Sequence, residues 1–243
     1  MAKRYLLDIQ AGSMCTTASP SARGWPGPQS SKPCSFDKLT TPAFKRKMIR
    51  IADELGLDPS MLAAVMMFET AGSMRADIQN SIMATGLIQF MPTTAKLYGT
   101  TVDALKRLTP EEQLDWVKVH FSKQAKRIKS LEDHYLAVFM PAYVGMDPSS
   151  VVGRRGSSEA GPGGLTKGAV YAANQGFDRG GKGYYTVADI GATVVSLYNA
   201  AKSRPPIEVD MSSWSSLGGL VIPIALGAAA GFGVAWGIKE LRR

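Results

Sequence analysis

The sequence predicts a mainly α-helical fold, and three observations carry that reading. Apolar residues recur at helical spacing: Phe44, Met48, Ile51 and Leu55 stand four, three and four positions apart, on one face of a helix. Helix-start and helix-stop chemistry frames the segments, and no stretch shows the strict alternation of a half-buried strand. No internal repeat is visible.

Residues 1–41 read as a flexible arm, because Pro20, Pro26, Pro28 and Pro33 interrupt any helix and Gly and Ser fill the gaps. The first helix begins near Pro42 and stops at Gly56. Asp58-Pro59 then supplies an N-cap with proline at the first helical position. That second helix carries Leu62, Val65, Met66 and Glu69. Thr109-Pro110-Glu111-Glu112 is a capping box, and it opens a helix with Leu114, Val117, Phe121 and Ile128 on one side. A further helix is expected over about 131–144, a Gly/Ser-rich loop over 145–168, and a last helix capped by Thr186 and Asp189 that bears Ile190, Val194 and Leu197. The expected domain therefore spans 42–202. A Pro-containing linker, 203–216, comes after it.

Residues 217–238 contain no charged side chain. As a helix they extend roughly 33 Å, enough for the hydrocarbon core of a bilayer. Trp214 and Trp236 sit near the ends, and the basic tail 239–243 completes the chain. A single C-terminal transmembrane helix is the expectation, with a buried Ala/Gly-rich core helix as the alternative. The pairs Gly227/Gly231 and Gly233/Gly237 permit close helix–helix self-association. The N-terminus lacks the apolar run of a secretory signal.

With 28 basic and 20 acidic side chains the chain carries a formal charge of +8. That favours a polyanionic partner such as an anionic membrane or cell wall. No aromatic-basic interleaving or zinc spacing singles out nucleic acid, and none is expected as a partner. The two cysteines, Cys15 and Cys34, lie in the arm and are either paired in an oxidising compartment or free.

Glu69 is the first candidate for chemistry. It lies seven residues after Leu62, four after Val65 and three after Met66, on the apolar stripe of its own helix. A carboxyl so placed resists ionisation, which suits a general acid. The plain alternative is a structural helix-end Glu reaching back to solvent. Downstream, Ala84-Thr-Gly86-Leu87-Ile88-Gln89-Phe90-Met91-Pro92 combines a glycine turn, an apolar run with one Gln and a proline-started helix. A neutral amide among apolar groups suits an N-acetylated sugar. The alternative is turn chemistry with a buried Gln bonded to backbone.

Glu69-Thr70 followed about twenty residues later by Gly86-Leu-Ile-Gln-Phe-Met-Pro92 resembles the soluble lytic transglycosylase family of the lysozyme-like superfamily, in its bacteriophage-associated spelling. Asn80 matches the residue that opens the segment before that motif. The resemblance implies a lysozyme-like helical domain that cleaves peptidoglycan without metal or organic cofactor. It makes Glu69 the catalytic acid, and Gln89, Met91, Thr70 and Tyr143 substrate-binding residues. Thr70 replaces the family's Ser, and Tyr143 belongs to an incomplete third motif in which Phe139 competes for the alignment. The implied reaction cuts between N-acetylmuramic acid and N-acetylglucosamine, leaving a 1,6-anhydro end. A goose-type lysozyme using a carboxylate such as Asp77, or a non-catalytic wall-binding or structural membrane protein, are the alternatives.

Residues 178–189 have the length of an EF-hand loop, with Gly183 at position six. Positions three and five are Gly180 and Lys182 rather than acidic or amide ligands, and Asp189 stands where a bidentate Glu is needed. The loop is read as a relic without calcium, because Lys182 repels the ion. A membrane-associated location is expected from the C-terminal stretch: a virion membrane, where the domain opens a wall for genome delivery, or a bacterial inner membrane facing the periplasm.

Overall fold

A computed structural model of the chain describes residues 4–7, 40–202 and 207–210. The fold is mainly helical, and its described residues divide into two compact units: 4–7, 40–125, 196–202 and 207–210 in the first, 126–195 in the second. The expected transmembrane stretch 217–238, its self-association motifs, the basic tail and both cysteines lie outside the described residues. No described helix is long and apolar enough to cross a membrane.

In the first unit, α1 (Pro42–Leu55) starts under Thr41, whose hydroxyl accepts from Phe44 N, and ends at Gly56 with φ +68°. Only glycine takes that left-handed position without strain. Next, α2 (Pro59–Glu69) starts under Asp58, whose carboxylate accepts from Ser60 N and Met61 N at 2.7 and 3.0 Å. Each such cap contributes about 1 kcal/mol. The sequence reads α2 as one apolar face; the structure encloses it on every side, since Leu62 through Met67 are all buried. After it come two short helices, α3 (Pro92–Leu97) and α4 (Val102–Lys106), and then α5 (Pro110–Ser122), opened by the expected capping box of Thr109 and Glu112. Ion pairs link α1 to α5 through Lys47–Asp115 at 3.0 Å and Glu54–Lys118. Ile128 lies beyond the end of α5.

This unit also holds a two-stranded sheet that the sequence does not announce. β1 (Arg4–Leu7) falls in the expected arm and pairs antiparallel with the last described strand, Ile207–Asp210, in the expected linker. The register runs from Arg4↔Asp210 to Leu7↔Ile207. Strands of four residues are too short to display a period.

The second unit opens with α6 (Leu131–Phe139), five residues shorter than expected because Pro141 cannot continue the helix and starts a 3₁₀ turn, Pro141–Tyr143. The expected loop 145–168 holds β2 (Val151–Arg154), which pairs antiparallel with β3 (Tyr184–Thr186). Between them lies α7 (Lys167–Ala173), and α8 (Val187–Lys202) closes the described helices, running on into the residues of the first unit. Its start carries the expected Thr186–Asp189 box, with Ile190 and Val194 buried. A chain of aromatic rings runs through this unit. Tyr135 stacks on Phe139 at 5.7 Å, Phe139 meets Phe177 edge-on at 5.3 Å, and Phe177 leans on Tyr185 at 5.6 Å. The strand β2 can lie against Tyr185 only because residue 153 is glycine, since a Cβ there would come within 2.5 Å of the ring.

Candidate active site

Glu69 is the last residue of α2, at the point where the buried helix runs out. It is half-buried, and its carboxyl makes no hydrogen bond or ion pair to any described residue. Loss of hydration alone pushes its pKa up to about 8. At neutral pH the group is therefore mostly protonated, the state a general acid needs before it acts.

The chain beyond Glu69 is held in unusual backbone. Among the described residues, the non-glycine positions with positive φ are Ala71 (51°), Met74 (52°), Met83 (63°) and Gln89 (50°), all between the acid and Phe90. Conformations of this kind cost on the order of 1–3 kcal/mol each and persist only where surrounding bonds enforce them. Thr70 braces the first part of this segment. Its hydroxyl donates to Met66 O at 2.7 Å and accepts from Met74 N at 3.1 Å. Asn80 braces the turn at Met83, its Oδ1 accepting from Ile82 N and Ala84 N, both at 3.0 Å.

The segment Thr85–Phe90 closes on itself through reciprocal backbone bonds, Thr85 N to Phe90 O and Phe90 N to Thr85 O at 3.0 and 2.8 Å. Gly86 turns the chain at φ +78°. Gln89 donates to Gly86 O from both its backbone N and its side-chain Nε2, each at 3.1 Å. Its Oε1 is buried and has no hydrogen-bond partner among the described residues. A buried acceptor without a partner costs about 1–3 kcal/mol, so this one is poised for an incoming N–H or O–H. Met91, half-buried, is the N-cap residue of α3.

Gln113 is a residue that the sequence expectations leave out and that the structure places beneath this segment. It is fully buried on α5. Its Oε1 accepts from Leu87 N at 2.7 Å, and its Nε2 donates to Ala76 O and Leu105 O at 3.1 and 3.0 Å. A signal for it exists in the sequence: Gln113, Val117 and Phe121 stand at four-residue intervals on the apolar side of the helix, so the amide faces the core.

Residues 47–139 match the family model of the transglycosylase SLT domain. This segment belongs to the soluble lytic transglycosylase family. The match covers Glu69, the turn with Gln89, and Gln113, and it brings the family's substrate class, peptidoglycan, to the domain. No curated protein matches the chain.

Other expected site residues fall in different places relative to this transglycosylase domain. Thr70, expected against substrate, is fully buried with its hydroxyl bonded to Met66 O and Met74 N, so it builds the turn after the acid. Tyr143 lies four residues past the matched segment, in the second unit. Its hydroxyl packs under Gly161, where a Cβ would overlap it, and it lines a cavity of about 470 Å³ with Met146, Ser150, Glu159 and Lys167. Burial, and then the charge of Glu159, raise the Tyr143 pKa. Asp77 is gripped by Arg75 through two bonds, at 2.8 and 2.7 Å, and the Arg75 hydrogen bond holds its carboxyl below the usual range.

In the loop 178–189 the side chain of Lys182 takes an unforeseen part. Its Nζ donates to both carboxylate oxygens of Asp189, at 3.2 and 2.9 Å, and lies 4.9 Å from the centre of the Tyr184 ring. Asp178 accepts from Lys182 N, Gly183 N and the Tyr171 hydroxyl, each at 2.8 Å. The Lys182 ammonium thus bonds the carboxylate at the far end of the loop.

Proposed function

We propose that the domain cleaves the β-1,4 bond between N-acetylmuramic acid and N-acetylglucosamine in peptidoglycan, with Glu69 as the one acid and base of the reaction. The observation that carries this reading is a dehydrated, unpaired Glu69 carboxyl within a transglycosylase segment. Glu69 protonates the glycosidic oxygen, and the bond to muramic acid C1 breaks through an oxocarbenium-like state. The Glu69 carboxylate then takes the proton from the muramic acid C6 hydroxyl. That oxygen closes on C1, giving the 1,6-anhydro end and returning the proton to Glu69. No water is consumed, so no second carboxylate is required. The free Oε1 of Gln89 accepts from the sugar's acetamido N–H, and Met91 supplies apolar contact.

The hydrolytic alternative assigns Asp77 to hold a water, and the Arg75 clamp on that carboxylate speaks against it. Mass spectrometry of soluble products from purified peptidoglycan, comparing wild type with Glu69→Gln, decides. Anhydro-muropeptides that vanish in the variant support the proposal. Reducing-end muropeptides point to a lysozyme, and an absence of products with retained binding to sacculi leaves a wall-binding module.

We also read the uncharged stretch 217–238 as a membrane anchor that holds this domain on a virion or bacterial inner membrane, with wall opening for genome delivery as the viral form of its role. Flotation of the full chain and of a chain ending at residue 216 with liposomes tests the anchor; equal flotation of both removes it.

A further inference from the structure

We propose that Gln113 is a positioning residue of this active site, setting the place of the Gln89 side chain through one peptide unit. The inference rests on the reading of Glu69 and Gln89 as the glycan site.

The peptide bond joining Gly86 to Leu87 is a rigid plane with its N–H and C=O at opposite edges. Gln113 holds one edge: its Oε1 accepts from Leu87 N at 2.7 Å. Gln89 holds the other, because both its backbone N and its Nε2 donate to Gly86 O at 3.1 Å. Any rotation of that plane moves the oxygen on which the Gln89 amide hangs. The Gln89 Oε1, buried and unpartnered among the described residues, turns with it.

The Gln113 end of this linkage has little freedom. Its amide is fully buried and also donates to Ala76 O, seven residues beyond the acid, and to Leu105 O near the end of α4. Three backbone segments thus meet on one side chain. There is no slack at the turn either: a Cβ at position 86 would overlap Gln113 Oε1. Removing the amide leaves the Leu87 N–H without its acceptor and frees the plane to tilt. The binding geometry of Gln89 is then lost while the Glu69 carboxyl keeps its own surroundings on α2.

The test is a double-mutant cycle in the full-length chain, using Gln113→Met, Gln89→Ala and their combination, with folding verified by circular dichroism at the assay temperature. KM and kcat are read from release of anhydro-muropeptides by soluble glycan strands. Gln113→Met is expected to raise KM tenfold or more and to leave the pH dependence of kcat, which Glu69 sets, unchanged. In the Gln89→Ala background the same substitution is expected to have no further effect on KM. A KM rise that persists in that background, or no rise at all, overturns the proposal, because a merely structural Gln113 would act independently of Gln89. Should Gln113→Met not fold, Gln113→Asn takes its place in the cycle, keeping the amide on a stem one methylene too short to reach Leu87 N. If the wild type releases no product, the transglycosylase reading has failed on its own. The cycle is then read as binding to intact sacculi, where independence of the two residues, or no binding by the wild type, again overturns the role given to Gln113.

Discussion

Replacing Glu69 by Gln should make the folded protein more stable, by an amount that grows with pH. The carboxyl has a pKa of about 8 in the fold against 4.5 as the ordinary value. Between those two values the folded state binds a proton that the unfolded chain has released, so stability falls as pH rises. Below pH 4.5 both states are protonated and nothing is lost; above 8 the full penalty of a buried charge is present. Each tenfold difference in proton affinity between the two states is worth about 1.4 kcal/mol, so the wild type loses roughly 3 kcal/mol at pH 7, roughly 4 at pH 8 and under about 1 at pH 5. Glutamine, being neutral throughout, escapes this loss. Urea unfolding of both proteins at pH 5 and pH 8 measures it. With a denaturant slope of about 2 kcal/mol per molar, the gap between their midpoints should widen by on the order of 1.5 M across that range. A gap that does not change with pH would refute the dehydrated carboxyl, and with it the reason for calling Glu69 an acid. The wild-type activity should run in parallel: kcat/KM holds below about pH 7 and falls as pH rises through about 8, where the acid loses its proton.

Gly86→Ala should destabilise the fold by about 2 kcal/mol or more, since it combines left-handed backbone with a clash on Gln113, and a thermal melt reads it. Thr70→Val should lower stability by about 1–3 kcal/mol through loss of the bonds to Met66 O and Met74 N, whereas Thr70→Ser should keep both stability and activity; equal melts for the Val and Ser variants would remove the hydroxyl from the account. Met83→Gly, at an exposed turn with φ +63°, should raise stability by about 1 kcal/mol, measured by urea unfolding. Chelator or added calcium should leave the melting temperature of the wild type unmoved, and Lys182→Met should lower it; a melt that rises with calcium contradicts the part given to Lys182.

The helices of the first unit are readable in the sequence because their ends are chemically marked: Asp58-Pro59, Gly56 and the Thr109 box each do in the structure what their residue types imply. The dehydration of Glu69 is readable because the carboxyl stands at helical spacing from Leu62, Val65 and Met66, on the apolar side of its helix. The four-residue strands are not, since β1 and its partner lie near opposite ends of the described chain and leave no local trace. The shape of the turn is hidden for another reason. Positive φ at Gln89 and Met74 is held by the bonds these residues donate to Gly86 O and the Thr70 hydroxyl, with Gln113 holding the Gly86–Leu87 peptide, against the local preference of those residues. Gln113 itself is visible as a polar residue on an apolar stripe, but only the fold reveals which three backbone groups it meets. Thr70 is harder to read, because in sequence a hydroxyl beside a carboxyl suits a ligand contact and a turn bond equally well; in the fold its bonds go to Met66 O and Met74 N.

The ammonium of Lys182 changes what the loop 178–189 responds to. A bound ion leaves when its concentration drops, and the loop it closes opens with it. A cation carried on the chain cannot be diluted, chelated or displaced by a competing metal, because its supply is covalent. The hold of Lys182 on Asp189 answers instead to ionic strength and pH, the two variables that govern any ion pair at a surface.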